Sequence, residues 1–128
     1  MNKSIRILLV EDSTFDAELV MHAIRRHGNF EFERVETSAS LRAALDSQTW
    51  DIIISDYRMP GFCGMTALAI VRCHDKEVPF ILLSGVVEEA TVRLAIAAGA
   101  SLCLLKGEYK QLVSGIFGEL QKRVRPIA

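Results

Sequence analysis

A run of three β-branched apolar residues, Ile52 to Ile54, constrains the fold of this chain more than any other feature. Such a run fits a strand that is buried on both faces, which is typical of a parallel sheet covered by helices. The carboxylate of Asp56 follows as the run ends, and Pro60 and Gly61 then force a turn. At an isolated strand end, Asp56 would be interpreted as a turn cap. In an open α/β sheet it stands where ligands bind, beyond the carboxyl end of a strand.

The rest of the chain alternates between strand-like and helical patterns. Further strands are predicted at residues 5–10, 30–36, 78–83 and 102–105, and helices at residues 14–27, 38–49, 64–75, 88–98 and from 109 onwards, with Pro126 as the latest possible end. The second strand is the most polar, which suits a sheet edge. Strands that alternate with helices predict an α/β fold with a doubly wound, five-stranded parallel sheet and right-handed crossovers.

The spacing of apolar residues also predicts which side of a helix is buried. In the first helix, Leu19, Val20, Ala23 and Ile24 are expected to form one apolar face. Trp50, just before the central strand, is expected to pack in the core rather than bind a ligand.

Size, composition and charge exclude several classes of protein. The chain has 128 residues, half of them hydrophobic and 24% charged, which indicates one globular domain. A net charge of −1 offers no electrostatic footprint for nucleic acid or a membrane surface. No apolar run reaches the roughly 20 residues of a membrane-spanning helix, and we expect no signal peptide and a cytoplasmic location. Cys63, Cys73 and Cys103 lack paired spacing, so free thiols are expected rather than disulfides or zinc ligands.

Polar groups follow four of the predicted strands. Glu11 and Asp12 follow the first, Asp56 the third, Ser84 the fourth and Lys106 the fifth. Parallel strands end at the same edge of a sheet, so these groups are predicted to converge on one pocket. Three adjacent carboxylates repel one another, and a hard cation such as Mg²⁺ would relieve that repulsion. Asp56 would then face a phosphoryl donor as a nucleophile, with Mg²⁺, Lys106 and Ser84 stabilising the phosphoryl oxygens.

This arrangement resembles the receiver domain of two-component response regulators. The resemblance covers about residues 5–120 and rests on Glu11-Asp12, Asp56 with Met59-Pro60-Gly61, Ser84-Gly85, Gly99-Ala100 and Lys106. It implies a flavodoxin-like (βα)5 fold with strand order 2-1-3-4-5. It also implies a single receiver domain over residues 1–128, with its core at about 5–122, which is either complete or one domain of a longer protein.

The resemblance assigns a role to each residue of the pocket. Asp56 would accept a phosphoryl group from a sensor histidine kinase or a phosphotransfer protein. Mg²⁺ would be the cofactor, held by Asp12, Asp56 and the backbone carbonyl of Arg58, and by Glu11 mostly through water. No enzymatic activity is implied beyond transfer to Asp56 and the later loss of that phosphate.

The resemblance also implies a switch. Ser84 and Lys106 would contact the phosphate and move towards it, and the loop after the fourth strand would follow. The fourth helix, fifth strand and fifth helix would shift, and this is the face on which the family binds output domains, protein partners or, in a phosphorylation-dependent dimer, a second copy. Val87, Leu94 and Tyr109 are candidates for its apolar contacts.

Two departures from the family pattern affect that switch. Gly107 replaces the proline that usually follows the lysine in a cis peptide bond, as in a variant branch of receivers. Without proline a cis bond costs about 2.5–4 kcal/mol, so the sequence leaves the geometry of this loop open. Cys103 replaces an aromatic residue that acts as a rotamer switch in the family, and a small thiol does not fill the same space.

The third departure is Arg58, which stands two residues after Asp56 where the family often has asparagine. Two interpretations are open. The side chain is either solvated, or it overhangs the site and alters the lifetime of the phosphate, by shielding the phosphate from water or by pairing with Glu88 or Glu89.

Two other functions compete with a phosphorylated receiver. One is an interaction module on the same fold that is never phosphorylated, which Gly107 and Cys103 favour and the complete acidic set opposes. The other is a flavodoxin-like or hydrolase-like enzyme. The first strand is followed neither by a phosphate-binding glycine motif nor by the DxD of aspartyl-phosphate hydrolases, since the sequence there is Glu11-Asp12-Ser13.

Overall fold

The structure, a computed structural model, describes residues 4–123 of the chain. Its elements are β1 (Ile5–Val10), α1 (Thr14–Arg25), β2 (Phe30–Val35), α2 (Ser38–Ser47), β3 (Ile52–Asp56), α3 (Gly64–His74), β4 (Phe80–Ser84), α4 (Glu89–Ala97), β5 (Leu102–Leu105) and α5 (Tyr109–Arg123). All ten predicted elements are confirmed, with bounds that shift by at most two residues. Pro126, the predicted limit of the last helix, lies outside the described residues.

The five strands form one parallel sheet in the order β2-β1-β3-β4-β5, which confirms the predicted doubly wound fold and places the polar strand β2 at an edge. The register aligns the carboxyl ends of the strands. Val10 of β1 pairs with Ser55 of β3, and Ser84 of β4 pairs with Leu105 of β5. The residues that follow these strands therefore start from one edge of the sheet.

Helices cover both faces of the sheet and divide the core in two. The side chains of Ile52 and Ile54 lie in a cluster with residues of α1 and α5, whereas Ile53 lies in the cluster with residues of α2, α3 and α4. All three isoleucines are fully buried, which explains why the run is apolar on both sides of the strand. Of the helices that the structure describes, none has the length and apolar character needed to cross a bilayer.

The buried face of α1 differs from the prediction. Val20 and Ile24 are buried as expected, together with Ala17. Leu19 remains 38% exposed, so the prediction that it points inward was wrong. The residues that meet the sheet are spaced by three and four positions, and Leu19 is turned away from them into a groove between α1 and α5. Trp50 is buried and donates its indole N–H to the carbonyl of Ala44 at 3.0 Å, which confirms its packing role.

A close approach between α3 and β3 sets the position of the central strand end. The N–H of Gly64 donates to the carbonyl of Tyr57 at 2.7 Å. A Cβ atom on Gly64 would lie 2.6 Å from the carbonyl oxygen of Asp56 and 2.5 Å from a methyl carbon of Leu82. Only glycine permits this contact, which holds the backbone of Asp56 and Tyr57 against the start of α3.

Candidate functional site

The carboxyl ends of the strands border a cleft of about 600 Å³. Side chains from different elements line it, including Asp12, Asp56, Ser84 and Lys106 from the loops and strand ends and Asp16 from α1. Glu11 lies beneath them and is only 2% exposed. The structure therefore brings together the residues that the strand ends predicted.

Three carboxylates form the base of this cleft. Glu11, Asp12 and Asp56 each offer an oxygen, and these oxygens lie within 4.8 Å of one another. The backbone orients two of them, since the N–H of Ser13 donates to Glu11 Oε2 at 3.2 Å and the N–H of Tyr57 donates to Asp56 Oδ1 at 3.0 Å. A cluster of hard oxygen donors of this kind is the set that Mg²⁺ prefers.

The protonation of this cluster reflects its burial. Burial raises the pKa of Glu11 to about 7. The hydrogen bond from the Ser13 N–H lowers this pKa, and the nearby charge of Asp56 raises it further. Burial also raises the pKa of Asp56, although its contacts with Lys106 oppose the rise. Because Lys106 only partly offsets the cost of burying these carboxylates, the cluster has the electrostatics of a site suited to a cation.

Lys106 supplies the positive charge that is present. Its Nζ lies 2.9 Å from Asp16 Oδ2, 3.0 Å from Asp56 Oδ2 and 3.2 Å from Glu11 Oε1. Burial alone would lower the pKa of Lys106, but the hydrogen bonds to Asp16 and Asp56 and the surrounding carboxylate charges raise it above its ordinary value. Lys106 is therefore a cation, and each carboxylate partner comes from a different part of the chain.

Ser84 lines the cleft, but its hydroxyl bonds within its own loop. The Oγ atom donates to the carbonyl of Val86 at 2.7 Å and accepts from the N–H of Val86 at 3.3 Å. For its hydroxyl to donate to a group on Asp56, Ser84 would have to give up its hydrogen bond to the Val86 carbonyl.

The structure resolves the loop after Lys106. No peptide bond between residues 4 and 123 is cis, and Gly107 has a φ of +95°. This left-handed conformation favours glycine, so the residue that replaces proline supports a different loop geometry. Cys103 is half-buried against the core cluster that contains α4, and burial raises the pKa of its thiol.

Arg58 lies at the rim of the cleft with an exposed side chain, and Glu88 lines the same cleft. Within the described part of the chain, Arg58 makes no ion pair with Glu88 or Glu89. The nearest basic partner of Glu89 is Arg93, at 3.9 Å and exposed to solvent. The geometry does not provide the predicted ion pair. The exposed side chain at the rim fits the solvated interpretation, and an effect on the lifetime of the phosphate stays a prediction.

Sequence reasoning missed two residues at the site. Asp16 was not predicted as part of the site; its N–H bonds to the hydroxyl of Ser13, and its carboxylate reaches Lys106. Asp16 lies in the first turn of α1, four positions after Asp12, and this closeness to the end of β1 is a signal that would have placed it near the cleft. Arg34 of β2 donates to the backbone carbonyl of Glu11 at 2.9 Å, and no sequence pattern indicated that contact.

The predicted partner face is partly as expected. Val87 is 41% exposed and Leu94 is 66% exposed, and Val86 and Leu105 add to the apolar surface around them. Tyr109 instead packs against the other core cluster and lines the groove between α1 and α5. Its inclusion among the contacts of this face was therefore wrong.

Comparison with known families gives the cleft its context. The sequence profile of the response regulator receiver domain matches residues 7–117, which run from β1 into α5. The chain belongs to that family. The five-stranded sheet and the acidic cleft of this receiver are therefore features of a protein of two-component signal transduction.

Relatives of this receiver differ in what surrounds the domain. Transcription factor SKN7 of Saccharomyces cerevisiae is 32% identical over 85 residues, which are 66% of this chain and 14% of that protein. The transcriptional regulatory protein NarL of Mycobacterium tuberculosis is 25% identical over 146 aligned positions, which span 98% of this chain and 68% of that protein. The chain thus spans only a small part of the first of these relatives.

Solved structures show the same fold. The receiver domain of sensor histidine kinase PA1611 from Pseudomonas aeruginosa superposes with a TM-score of 0.80 and 22% identity, covering 93% of this chain and 99% of that one. That structure holds a magnesium ion in its active site cleft.

Proposed function

We propose that this receiver takes a phosphoryl group onto Asp56 from the phosphohistidine of a sensor histidine kinase or a phosphotransfer protein. The observation that carries the proposal is the setting of the Asp56 carboxylate. It is buried at the end of β3, between the N–H of Tyr57 and the ammonium of Lys106 and beside two further carboxylates. Glu11 also has a backbone donor and a contact with Lys106, but Asp56 lines the open cleft at the end of the central strand and Glu11 does not.

The donor set supports Mg²⁺ as the cofactor. Glu11, Asp12 and Asp56 supply clustered oxygens, and the raised pKa of Glu11 indicates that positive charge is needed there. The proposed ligands are Asp12, Asp56 and the backbone carbonyl of Arg58, with Glu11 acting mostly through water. When bound there, Mg²⁺ would neutralise charge on the transferring phosphoryl oxygens. The magnesium ion in the PA1611 receiver supports the same assignment.

The transfer itself requires one nucleophile and one leaving group. A carboxylate oxygen of Asp56 attacks phosphorus, and a P–O bond forms as the P–N bond of the phosphohistidine breaks. The electron pair of that bond stays on the imidazole nitrogen, which takes a proton. Lys106, 3.0 Å from Asp56, then donates to the phosphoryl oxygens. Phe15 is 70% exposed in the first turn of α1 and offers the donor protein an apolar contact beside the cleft.

The phosphorylated state would act on the partner face through Ser84. When its hydroxyl turns from the Val86 carbonyl to the phosphoryl group, the loop that follows β4 moves and α4 moves with it. Val87 and Leu94 would change position and so alter the surface for an output domain, a protein partner or a second copy. The half-buried Cys103 implies that this shift proceeds without an aromatic rotamer switch.

Labelling with acetyl phosphate tests the proposal. In the presence of Mg²⁺ we expect one phosphoryl group per chain by intact-protein mass spectrometry, and none for Asp56→Asn or after chelation of the metal. Asp46→Asn removes an exposed acid outside the cleft and is the matched control, which should be labelled like the wild type. An unlabelled wild type would favour an interaction module that works without phosphorylation. An Asp56→Asn variant that is labelled equally would place the phosphoryl group on another residue and overturn the role of Asp56.

A further inference from the structure

One of the three carboxylate partners of Lys106 does not come from a strand end. Asp16 belongs to the first turn of α1, and its Oδ2 lies 2.9 Å from Lys106 Nζ, against 3.0 Å for Asp56. The Asp16 side chain is 35% exposed and that of Asp56 is 9% exposed. The ammonium thus bridges the buried base of the cleft and its open mouth.

Asp16 is fixed in this position by the start of its helix. The backbone N–H of Asp16 donates to the hydroxyl of Ser13, which caps α1, and the helix N-terminus favours a negative charge in its first turn. The oxygens grouped closely enough to hold a metal ion belong to Glu11, Asp12 and Asp56, and Asp16 is not among them. In the described part of the chain its ion-pair partner is Lys106.

The position of Lys106 makes Asp16 a competitor for its charge. The ammonium donates to Asp56 Oδ2 at 3.0 Å, and Asp16 Oδ2 and Glu11 Oε1 lie 2.9 and 3.2 Å from the same Nζ atom. A phosphoryl group that arrives on Asp56 needs this ammonium to face it. Because Asp16 attracts the ammonium towards the mouth of the cleft, the phosphoryl oxygens must compete with Asp16 for Lys106.

We propose that Asp16 is a positioning residue, which holds the Lys106 ammonium at the mouth of the cleft and thereby slows the step in which Lys106 engages an incoming phosphoryl group. The inference rests on the proposed function, since it concerns the rate of phosphorylation of Asp56. It assigns to α1 a direct influence on how readily this receiver is switched on.

Three variants separate charge from shape. Asp16→Asn keeps the size of the side chain and removes its charge. Asp16→Glu keeps the charge and moves it outward by one methylene group. Glu18→Gln makes the same change of net charge on the same helix, at an exposed residue outside the cleft, and is the matched control.

The readout is the initial rate of Asp56 labelling by acetyl phosphate at saturating Mg²⁺. We expect Asp16→Asn to raise this rate by about two- to fivefold, the range that follows from losing one partly exposed ion pair. Asp16→Glu and Glu18→Gln should both be labelled at the wild-type rate. A purely structural role for Asp16 would give a slower rate in Asp16→Asn, or no change.

A second comparison shows whether the effect runs through the lysine. Lys106→Met alone should lower the labelling rate, and adding Asp16→Asn to it should have no further effect. If Asp16→Asn still raises the rate in that background, Asp16 acts by repelling the anionic donor and the proposal is overturned.

The outcomes distinguish this proposal from the one on which it rests. A wild type that is not labelled removes the phosphoacceptor function and this inference together. A wild type that is labelled, with an Asp16→Asn variant of equal or lower rate, removes the inference alone.

Discussion

The helices α3 and α4 cover the same face of the sheet, but they are packed very differently. The buried residues of α3 are Gly64, Ala67, Leu68, Ile70 and Val71. Within the nine residues of α4 only Ala95 is buried, and Leu94 and Ile96 are exposed. In α3 the apolar residues recur at helical spacing, whereas Leu94 of α4 is two positions from both Val92 and Ile96 and so lies on the opposite side of the helix from them.

This difference divides the cleft into two parts. Asp56 leaves the sheet beside α3, where the contact of Gly64 with the strand end holds the backbone firmly. Ser84 and Lys106 lie beside the loosely packed side, at the loop before α4 and at the end of the edge strand β5. Few buried apolar contacts mean a low local stability. The side that carries Asp56 is thus the more firmly packed, and the side that carries Ser84 and Lys106 is the less firmly packed.

The same Leu→Ala truncation in α3 and in α4 is expected to give the largest difference in stability between the two helices. Leu68 is fully buried, so Leu68→Ala should lower the free energy of unfolding by about 2–5 kcal/mol through the cavity it leaves. Leu94 is 66% exposed, so Leu94→Ala should change that free energy by less than about 0.5 kcal/mol. Urea unfolding followed by the fluorescence of Trp50 measures both. Equal losses would mean that α4 is as firmly packed as α3.

Most of the fold was predictable because two signals agree along the chain. The apolar run at Ile52 to Ile54 indicated a doubly covered sheet, and the alternation of strands and helices gave its parallel architecture. The errors concern which way an amphipathic helix faces. Leu19 and Tyr109 both line the groove between α1 and α5, and the packing of one helix against the other determines their exposure. That information is tertiary, so the local spacing of apolar residues does not contain it.

The site was predictable to the extent that it is built from strand ends. Asp56, Ser84 and Lys106 meet because parallel strands finish at one edge of the sheet. Contacts made by residues outside the strand ends were missed. One example is the hydrogen bond from Arg34, in the edge strand β2, to the backbone carbonyl of Glu11. The bond between Ser84 and the Val86 carbonyl depends on how its loop closes, which no pattern at the strand end determines.

A second test concerns the cost of burying the Glu11 carboxylate at the base of the cleft. Burial raises the pKa of Glu11 from 4.5 to about 7, so over this pH range the folded metal-free protein keeps a proton that the unfolded chain has lost. Stability is therefore highest at the acid end of the range and falls as pH rises through it, on the order of 2–3 kcal/mol. Urea unfolding across the range in a chelating buffer measures this slope.

Variants assign that slope to one side of the cleft. Glu11→Gln should flatten it, whereas Glu88→Gln, an exposed acid on the side of α4, should leave it unchanged. Added Mg²⁺ should restore stability at the upper end of the range, because a ligand that binds only the folded state stabilises it. If Glu11→Gln retains the wild-type slope, the cost of burial does not arise at that residue.

Arg72 provides the test with the smallest expected effect, since it connects α3 to the residues that follow α4. From α3 its Nε and Nη2 donate to the carbonyl of Gly99 at 3.0 and 2.7 Å, and its Nη1 donates to the carbonyl of Asp75 at 3.0 Å. Arg72→Met keeps the aliphatic stem and removes these bonds, which should lower the free energy of unfolding by about 1–2 kcal/mol. Because α3 has its own core contacts and α4 has few, we expect amide hydrogen exchange to accelerate in Glu89–Ala97 more than in Gly64–His74.

The control for Arg72 lies on α4 itself. Arg93 has an exposed side chain and its only ion pair in the described residues is with Glu89 at 3.9 Å, so Arg93→Met should leave exchange nearly unchanged. Equal acceleration in both helices after Arg72→Met would show that Arg72 supports the whole core. Acceleration confined to α4 would instead show that the hydrogen bonds from Arg72 to the Gly99 carbonyl are the contacts through which α3 limits movement of α4.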